Sequence, residues 1–488
     1  MIVNTITVVG GGTSGWLTAA YLAHNFPEIN ITIVDKEVGS PVGVGEGTLL
    51  NLKPFLDECG FNIDEWFPAI DATYKSSIMF ANWEGAGKDV WHPFYKGNRS
   101  VTSNVSIHDV WTQVQNYDFK RYAMAHYDAS VLHNAVDVNS INEYAFHIDC
   151  SKLVAFIKSK IINRVTLVNS DVVNVGYVDN NIKDLTLKNG LIITSDLFVD
   201  CTGFKNILKT PNKKVTLEGR LFCNTAIAGH VPYKDRDNEL KPYVTSEAVD
   251  HGWVWQIPVV SRIGSGLVFN RDITSIDEAK DYFVNYWDNR INKEDLKVID
   301  WTPFYIEDMW DGNVVRIGLS AGFIEPLEST GVALITAGVA QLSNAINERH
   351  YTEDNIKFFN LQMKLYFEDS IDFVSMHYAK SDRTSNFWSW VKETWTPSER
   401  MIHHLDLLTN PNIPVPHAGK FNYVFNGANW SVWLIQLGYP VAKRNTHIPD
   451  NIAEEILNKN YIRYEKYRHV SSRHHASEID RLAEFYKL

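Results

Sequence analysis

Ile6-Thr7-Val8-Val9-Gly10-Gly11-Gly12-Thr13-Ser14-Gly15-Trp16, followed by Ile31-Thr32-Ile33-Val34-Asp35, decides the fold. The β-branched run Ile6 to Val9 predicts a strand, Gly10 to Gly15 a turn, and Trp16 to Phe26 a helix ended before Pro27. Ile29 to Asp35 predicts the second strand. Glycines at Gly10, Gly12 and Gly15 give G-x-G-x-x-G, which lets backbone approach a pyrophosphate. The helix N-terminus offers free N–H groups and a positive dipole end, and Thr13 and Ser14 lie in the turn that leads into it. Asp35 ends the second strand, where a carboxylate can accept from ribose hydroxyls. A Gly-rich turn without a ligand is the bland alternative. Strand, turn, helix, strand and acid in this order favour a bound dinucleotide.

Working outward, helices are expected at Leu49 to Cys59 and Ser151 to Asn163. Strands are expected at Val165 to Val168, Leu185 to Leu187 and Leu191 to Val199, the last entering Asp200-Cys201-Thr202-Gly203. Residues 215–310 read as β-rich. Val314 to Gly318 reads as a strand and Gly331 to Glu348 as a helix. Helical patterning then dominates, over Asn355 to Ala379, Ala453 to Asn458 and Ser477 to Tyr486. There is no internal repeat or long polar linker. The expected class is α/β: a Rossmann-type dinucleotide fold, an interleaved β-rich substrate domain and a helical C-terminal region. Its nucleotide-binding module would comprise 1–110, 145–215 and 310–350. Its substrate module would comprise 111–144, 216–309 and 351–488.

A chain of 488 residues with 45% apolar and 21% charged residues suits a large soluble enzyme. The net charge of −12 argues against nucleic acid or an anionic membrane as partner. The four cysteines, Cys59, Cys150, Cys201 and Cys223, are far apart and lack a CxxC pair, which suits reduced thiols in a cytoplasmic protein. The chain opens on a strand without a signal-peptide pattern, and no apolar run reaches membrane-spanning length. The histidines at His403-His404 and His474-His475 form no metal-ligand spacing, so no metal is expected.

Four further motifs stand out. Gly252-Trp253-Val254-Trp255-Gln256-Ile257-Pro258 puts two indoles on one face of a strand. Core packing is their ordinary fate. Tyr74-Lys75-Ser76-Ser77-Ile78-Met79-Phe80 alternates like one strand, and a lysine there is ordinarily a surface residue. Ser320 to Gly331 contains Glu325-Pro326-Leu327-Glu328-Ser329-Thr330-Gly331 just before a helix, where Ser or Thr predicts an N-cap. Backbone N–H groups at Thr330 and Gly331 would also suit an anion. Gly318-Leu319-Ser320-Ala321-Gly322 matches GxSxG, but a nucleophile elbow needs a helix at once and Pro326 intervenes. Finally, Val42-Gly43-Val44-Gly45-Glu46-Gly47-Thr48 is a second glycine-rich loop.

Together these motifs resemble the flavin-dependent tryptophan-halogenase family, in which a GWxWxIP strand is the signature. The resemblance covers most of the chain and thins toward its C-terminus. It implies FAD, used as FADH2, with halide and O2 as co-reactants. A second complete dinucleotide fingerprint is missing, so a separate flavin reductase is the expected partner. By resemblance, Glu46 and Thr48 approach the flavin, as do Leu319 and Val332. Lys75 is the catalytic residue that holds hypohalous acid or forms a haloamine, with the Glu328 carboxylate beside it. Ser329, Thr330 and Gly331 form the halide site. Trp253 and Trp255 wall the flavin off from the substrate.

His92 and Phe94, in Trp91-His92-Pro93-Phe94, resemble the residues that border the indole, and Trp433 falls in the substrate segment. Free-tryptophan halogenases carry a Tyr-Tyr pair with a Glu and a Trp near the C-terminus. Phe421 to Trp433 has neither the pair nor a glutamate. Burying unpaired zwitterion ends is expensive. The expected substrate is therefore an indole or another electron-rich aromatic rather than free tryptophan. Bromide and iodide are expected to compete well with chloride, since they are more easily oxidised. The sequence is compatible with a homo-oligomer. Competing functions are an FAD-dependent aromatic hydroxylase, which Lys75 and the Trp pair disfavour, and a non-catalytic FAD-binding redox protein, which leaves Lys75, Glu328 and the paired indoles unexplained.

Overall fold

Thr5–Val9, the first β-branched run, lies inside a six-stranded sheet of the computed structural model. The structure describes residues 1–36, 45–94, 100–102, 105–114, 144–208, 213–409, 424–425, 427–439, 447–471, 482–483 and 485–486. Thr5–Val9 runs parallel to Asn30–Asp35 on one side and Leu197–Asp200 on the other. Thr166–Asn169 and Val314–Arg316 extend the parallel sheet, and Trp310–Asp311 pairs antiparallel at one edge. Val8, Ile33, Val199 and Val315 are buried on one face and Val9, Val34, Phe198 and Val314 on the other, as expected for a parallel sheet covered on both faces. This is the Rossmann-type layer read from the fingerprint.

The helix Thr13–Asn25 begins three residues earlier than expected, directly at the turn. Helices Leu52–Glu58 and Cys150–Ile161 match their expected positions, and the Asp149 carboxylate caps the second by accepting from the N–H groups of Ser151 and Lys152. The predicted strand Leu191 to Val199 is two strands, Ile192–Ile193 and Leu197–Asp200. Between them Asp196 turns its carboxylate back onto the N–H groups of Asn4 and Thr5, at 2.8 and 2.9 Å. The run divides there because Ile192–Ile193 pairs with Asn181–Leu187 while Leu197–Asp200 joins the parallel sheet.

The β-rich region forms a seven-stranded sheet. Its order is Lys297–Asp300, Thr225–Val231, Arg262–Phe269, Gly252–Val259, Tyr243–Val249, Ser77–Gly85 and Lys88–Pro93. Strands from 77–93 thus complete a layer otherwise built from 225–300.

The stretch read as one strand, Tyr74 to Phe80, is also two. Thr73–Lys75 pairs with Ala145–Ile148, which pairs on its other edge with Glu46–Gly47. Ser76 then bonds Pro242 O through both its N–H and its hydroxyl, and Ser77 enters the large sheet. This swivel ends the small sheet at Lys75.

Thr330–Ala345 and the 25-residue Glu353–His377 form the main helical layer, the second started by a Thr352/Asn355 capping box. Asp450–Ser471 extends well beyond the expected Ala453 to Asn458. Most of the expected helix Ser477 to Tyr486, Val42 to Val44 of the second glycine loop, and nearly all of the 111–144 segment lie outside the described residues. All four cysteines are buried free thiols. Among the described residues no helix is long and apolar enough to cross a membrane, and no three His, Cys, Asp or Glu side chains group as metal ligands.

Candidate active site

A cavity of about 590 Å³ opens at the carboxyl ends of the parallel strands. Gly10, Gly12, Thr13, Ser14, Asp35, Glu46, Thr202, Leu319, Ser329, Thr330, Gly331 and Val332 all line it. Its glycines divide the labour. Gly10, at φ +110°, lies so near Cys201 that a Cβ would stand 2.3 Å from the Cys201 carbonyl oxygen. A Cβ on Gly15 would strike Gly10 O at 1.8 Å, so this glycine lets helix and turn pack. A Cβ on Gly12 would meet nothing within 4 Å, leaving its backbone open to a ligand. Gly11 N–H donates to Asp35 at 3.1 Å, and burial pushes the Asp35 carboxyl up from its ordinary range.

Two helices start at this cavity, Thr13–Asn25 and Thr330–Ala345, and neither has a side-chain cap or an acid in its first turn. Their free N–H groups and dipole ends give two anion sites on one cavity. The buried Asp200 carboxylate braces the Thr202 turn by accepting from the Thr202 N–H and hydroxyl and from Leu208 N–H. An aromatic dinucleotide with a pyrophosphate fits this lining.

Lys75 lies outside the cavity and is fully buried. Its ammonium donates to Thr48 O at 2.9 Å, and its Nζ lies 4.9 Å from the centroid of the Phe94 ring. Burial pulls its pKa down to about 7, against the opposing charge of Glu328. Gly47 is the thin point between Lys75 and the cavity. A Cβ there would lie 2.6 Å from Ser329 Oγ, 3.1 Å from Val244 Cγ2 and 3.2 Å from Lys75 Nζ.

Thr48 corrects an expectation, because it does not line the cavity. Its hydroxyl is engaged with the Phe146 carbonyl and N–H, and its own carbonyl holds the lysine. Glu46 does line the cavity, and burial pushes its carboxyl up to about 7.

Glu328 is fully buried between two imidazoles. His92 Nδ1 is 2.7 Å from Oε2, and His377 Nε2 is 2.5 Å from Oε1. Burial alone would raise this carboxyl, but His92 and His377 more than offset it and hold it at about 2. His92, expected against the substrate, is therefore committed to Glu328 on one side and to Asn429 on the other, at 2.9 Å. Trp433, expected at the substrate too, is fully buried with its ring 3.7 Å from that of His377. The sequence reading missed His377 and Asn429. Each is one polar residue among several in its helix, and no spacing distinguishes it from its neighbours.

The paired indoles lie on one face, their ring centroids 6.2 Å apart, but they do different things. Trp255 lines the cavity, occupies the space a Cβ on Gly266 of the next strand would need, and has no partner for its N–H among the described residues. Trp253 is wholly buried and donates to Glu325 Oε2 at 3.3 Å. Glu325 also accepts from the Tyr378 hydroxyl at 2.9 Å, and burial pushes its carboxyl up to about 7. Tryptophan alternation predicted the shared face, but not which indole would meet the cavity.

Two serine expectations resolve clearly. The Ser320 hydroxyl is buried and donates to Asp200 O and Ile317 O, so the GxSxG match is a structural turn. The N-cap expected from Ser or Thr at 329–330 does not form through a side chain. Ser329 is the N-cap residue but sits at φ 58°, ψ 35°, instead of the extended backbone that aims a serine oxygen at the helix N–H groups.

The tryptophan halogenase family model matches residues 5–452. Tryptophan 6-halogenase ThaL of Streptomyces albogriseolus is 30% identical over 499 residues, spanning 93% of this chain and 94% of that protein. Among solved structures, the flavin-dependent halogenase BrvH from Brevundimonas sp. BAL3 has a TM-score of 0.87 at 25% identity, covering 99% of each chain. Tryptophan 6-halogenase SttH from Streptomyces toxytricini has a TM-score of 0.85 at 27% identity, again covering 99% of each.

Proposed function

The chain belongs to the tryptophan halogenase family of flavin-dependent enzymes, which require reduced flavin, and from that premise we propose a specific division of labour. Lys75 delivers an oxidised halogen to an indole or another electron-rich aromatic, and a separate reductase supplies the FADH2. When bound, reduced flavin supplies with O2 the oxidising power that turns halide into hypohalous acid. The single observation that carries the reading is the burial of Lys75, with its pKa drawn to about 7 and its nitrogen fixed by Thr48 O. Near neutrality such a side chain offers both an ammonium that can hydrogen-bond an oxidant and an amine that can take up halogen.

The halide would sit at the start of Thr330–Ala345. There Thr330 Oγ1 is buried without a partner among the described residues, and the Thr330 and Gly331 N–H groups are available. Gly10, Gly12, Thr13, Ser14, Asp35, Glu46, Leu319 and Val332 would hold the FAD, with Gly15 letting the helix pack close behind the turn. Trp255 would close the cavity on the substrate side, and Phe94 would present a ring face to the aromatic beside Lys75. Glu328 would balance charge at Lys75 and face the ring proton. Phe421 to Trp433 supplies no glutamate for an amino-acid ammonium, which favours indole over free tryptophan. Residues 421–423 and 426 of that stretch lie outside the described set.

The test is mass spectrometry of products from indole, free tryptophan and other aromatics, with added FAD, a flavin reductase and each halide in turn. Halogenated indole in excess over halogenated tryptophan, with bromide or iodide outcompeting chloride, is the expected result. A hydroxylated product formed without halide would replace the halogenase assignment with a monooxygenase. Faster single-site halogenation of free tryptophan would overturn the substrate assignment, and mainly chlorinated product the halide assignment. In Lys75→Ala, halogenation should vanish while flavin oxidation continues.

A further inference from the structure

His377 is the last residue of Glu353–His377, fully buried, with both ring nitrogens engaged. Its Nδ1 lies 2.7 Å from Phe373 O, one turn back in the same helix. A carbonyl oxygen can only accept, so Nδ1 must carry a hydrogen. Its Nε2 lies 2.5 Å from Glu328 Oε1, a separation that also requires a hydrogen between the atoms. Two arrangements satisfy both contacts: imidazolium with carboxylate, or neutral imidazole with carboxylic acid. In each, the pair holds one proton beyond the Nδ1 hydrogen. Burial by itself favours an uncharged ring, and the Phe373 carbonyl excludes the tautomer with a bare Nδ1 that would leave Glu328 ionised.

His92 behaves differently. The Asn429 amide nitrogen, 2.9 Å from His92 Nε2, donates to it. The His92 Nδ1–H then donates to Glu328 Oε2. His92 accepts at Nε2 and donates at Nδ1, and the shared proton belongs to His377 and Glu328. The charged or titratable groups around the carboxylate are His92 on Lys88–Pro93, Lys75 on Thr73–Lys75 and His377 itself. Phe80 and Trp433 pack the His377 ring from the remaining sides.

We propose that His377 is a positioning residue for halogenation, sharing one proton with Glu328 and so setting the charge that the carboxylate presents beside Lys75. The inference rests on the halogenase reading above. When halogen adds to a ring carbon, the C–H bond breaks, its electron pair returns to the ring, and the proton passes to Glu328. The carboxylate can take it in the arrangement of the pair that leaves the shared proton on His377. Halogen leaves the Lys75 nitrogen without its bonding electrons, and that nitrogen finally receives the proton from Glu328, which restores the pair.

His377→Gln separates this role from simple packing. A glutamine amide can donate to Glu328 Oε1 but holds no titratable proton. Expected is about a tenfold or greater loss of kcat, with KM for the aromatic little changed. The acidic limb of the pH profile should move to higher pH, because removing a cation raises a carboxyl pKa. Wild-type kcat and an unshifted acidic limb in His377→Gln would reduce His377 to a structural donor and overturn the proposal.

Where that variant melts early or loses flavin, side-chain 15N NMR of histidine-labelled wild-type protein decides the question. Nδ1 of His377 should carry a hydrogen, and Nε2 should share one with the carboxylate. A ring with bare Nδ1 and a simple Nε2–H refutes the sharing. This spectrum needs no turnover, so it fails or succeeds separately from the halogenase assignment.

Discussion

Lys75→Met should make the protein more stable while abolishing halogenation. Lys75 is fully buried and its pKa is about 7, against an ordinary lysine value of 10.5. The sign follows from proton counts. Between these values the unfolded chain binds a proton that the folded one does not, so the wild type gains stability as pH rises through this window. Below about pH 7 the penalty is fully present. From the two pKa values the penalty is about 4 kcal/mol at pH 7, falling to about 2 kcal/mol at pH 9. Methionine has similar length and no charge, but it leaves Thr48 O without its donor, a loss of about 1 kcal/mol.

The net gain is therefore about 3 kcal/mol at pH 7 and about 1 kcal/mol at pH 9. For a chain of this size the melting temperature should rise by about 3 °C at pH 7, and by about a third of that at pH 9. Paired thermal melts at a fixed scan rate, followed by intrinsic tryptophan fluorescence, read both values. A Lys75→Met protein no more stable than wild type at pH 7, or one whose gain is the same at both pH values, would show that Lys75 is not held desolvated. Halogenated product from this variant would separately refute the catalytic assignment.

Gly47→Ala inserts a methyl between Ser329 Oγ, Val244 Cγ2 and Lys75 Nζ. It should lower halogenated product per flavin oxidised, most for iodide and least for chloride, because the larger halogen passes the narrowed point least well. An unchanged halide ratio would rule out this passage. Glu325 has a folded pKa of about 7, above its ordinary 4.5, so the wild type loses stability as pH rises through that interval, by about 3 kcal/mol in all. Glu325→Gln should remove this slope and retain activity. Glu325→Leu should destabilise by about 1–3 kcal/mol, because Trp253 N–H and the Tyr378 hydroxyl lose their acceptor. Melting temperatures of both variants from pH 5 to 8 test the pair. Asp35→Ala should weaken FAD binding with little change in fold stability, checked by flavin fluorescence titration and a melt.

The parallel sheet was legible because its signal is local. Ile6 to Val9, the glycine turn and Asp35 lie within thirty consecutive positions, and each residue type has one main physical use there. Gly10, Gly12 and Asp35 of that stretch line the cavity, as do Leu319 and Val332, which only the family resemblance singles out. Legibility failed where one residue serves a partner distant in sequence. Ser76 swivels because Pro242 O takes both its donors, so alternation over Tyr74 to Phe80 misleads. Thr48 turns its hydroxyl to Phe146 rather than to the cavity. The imidazoles beside Glu328 escape a linear reading because His92 and His377 reach it across 236 and 49 residues. Nothing in a linear pattern pairs them.

The small three-stranded sheet explains why the two halves of the site stay in register. Ala145–Ile148 pairs with Glu46–Gly47 on one edge and with Thr73–Lys75 on the other, and His147 lies opposite both Gly47 and Thr73. The glycine that borders the cavity and the strand that ends in the lysine are therefore fixed to the same residue. Thr73 Oγ1 donates to Pro258 O at 2.6 Å and so accepts from His147 Nδ1 at 2.7 Å, which ties this sheet to the end of the Gly252–Val259 strand. Burial and the nearby Lys75 keep His147 well below its ordinary pKa, hence neutral, so it adds no charge at the lysine. The strand bearing Trp253 and Trp255 is thereby pinned to the lysine strand through one hydroxyl. A partition works only if it cannot drift from the group it guards. Here the indole bordering the cavity, the glycine at its thin point and the lysine behind it are joined by backbone pairing and two buried hydrogen bonds.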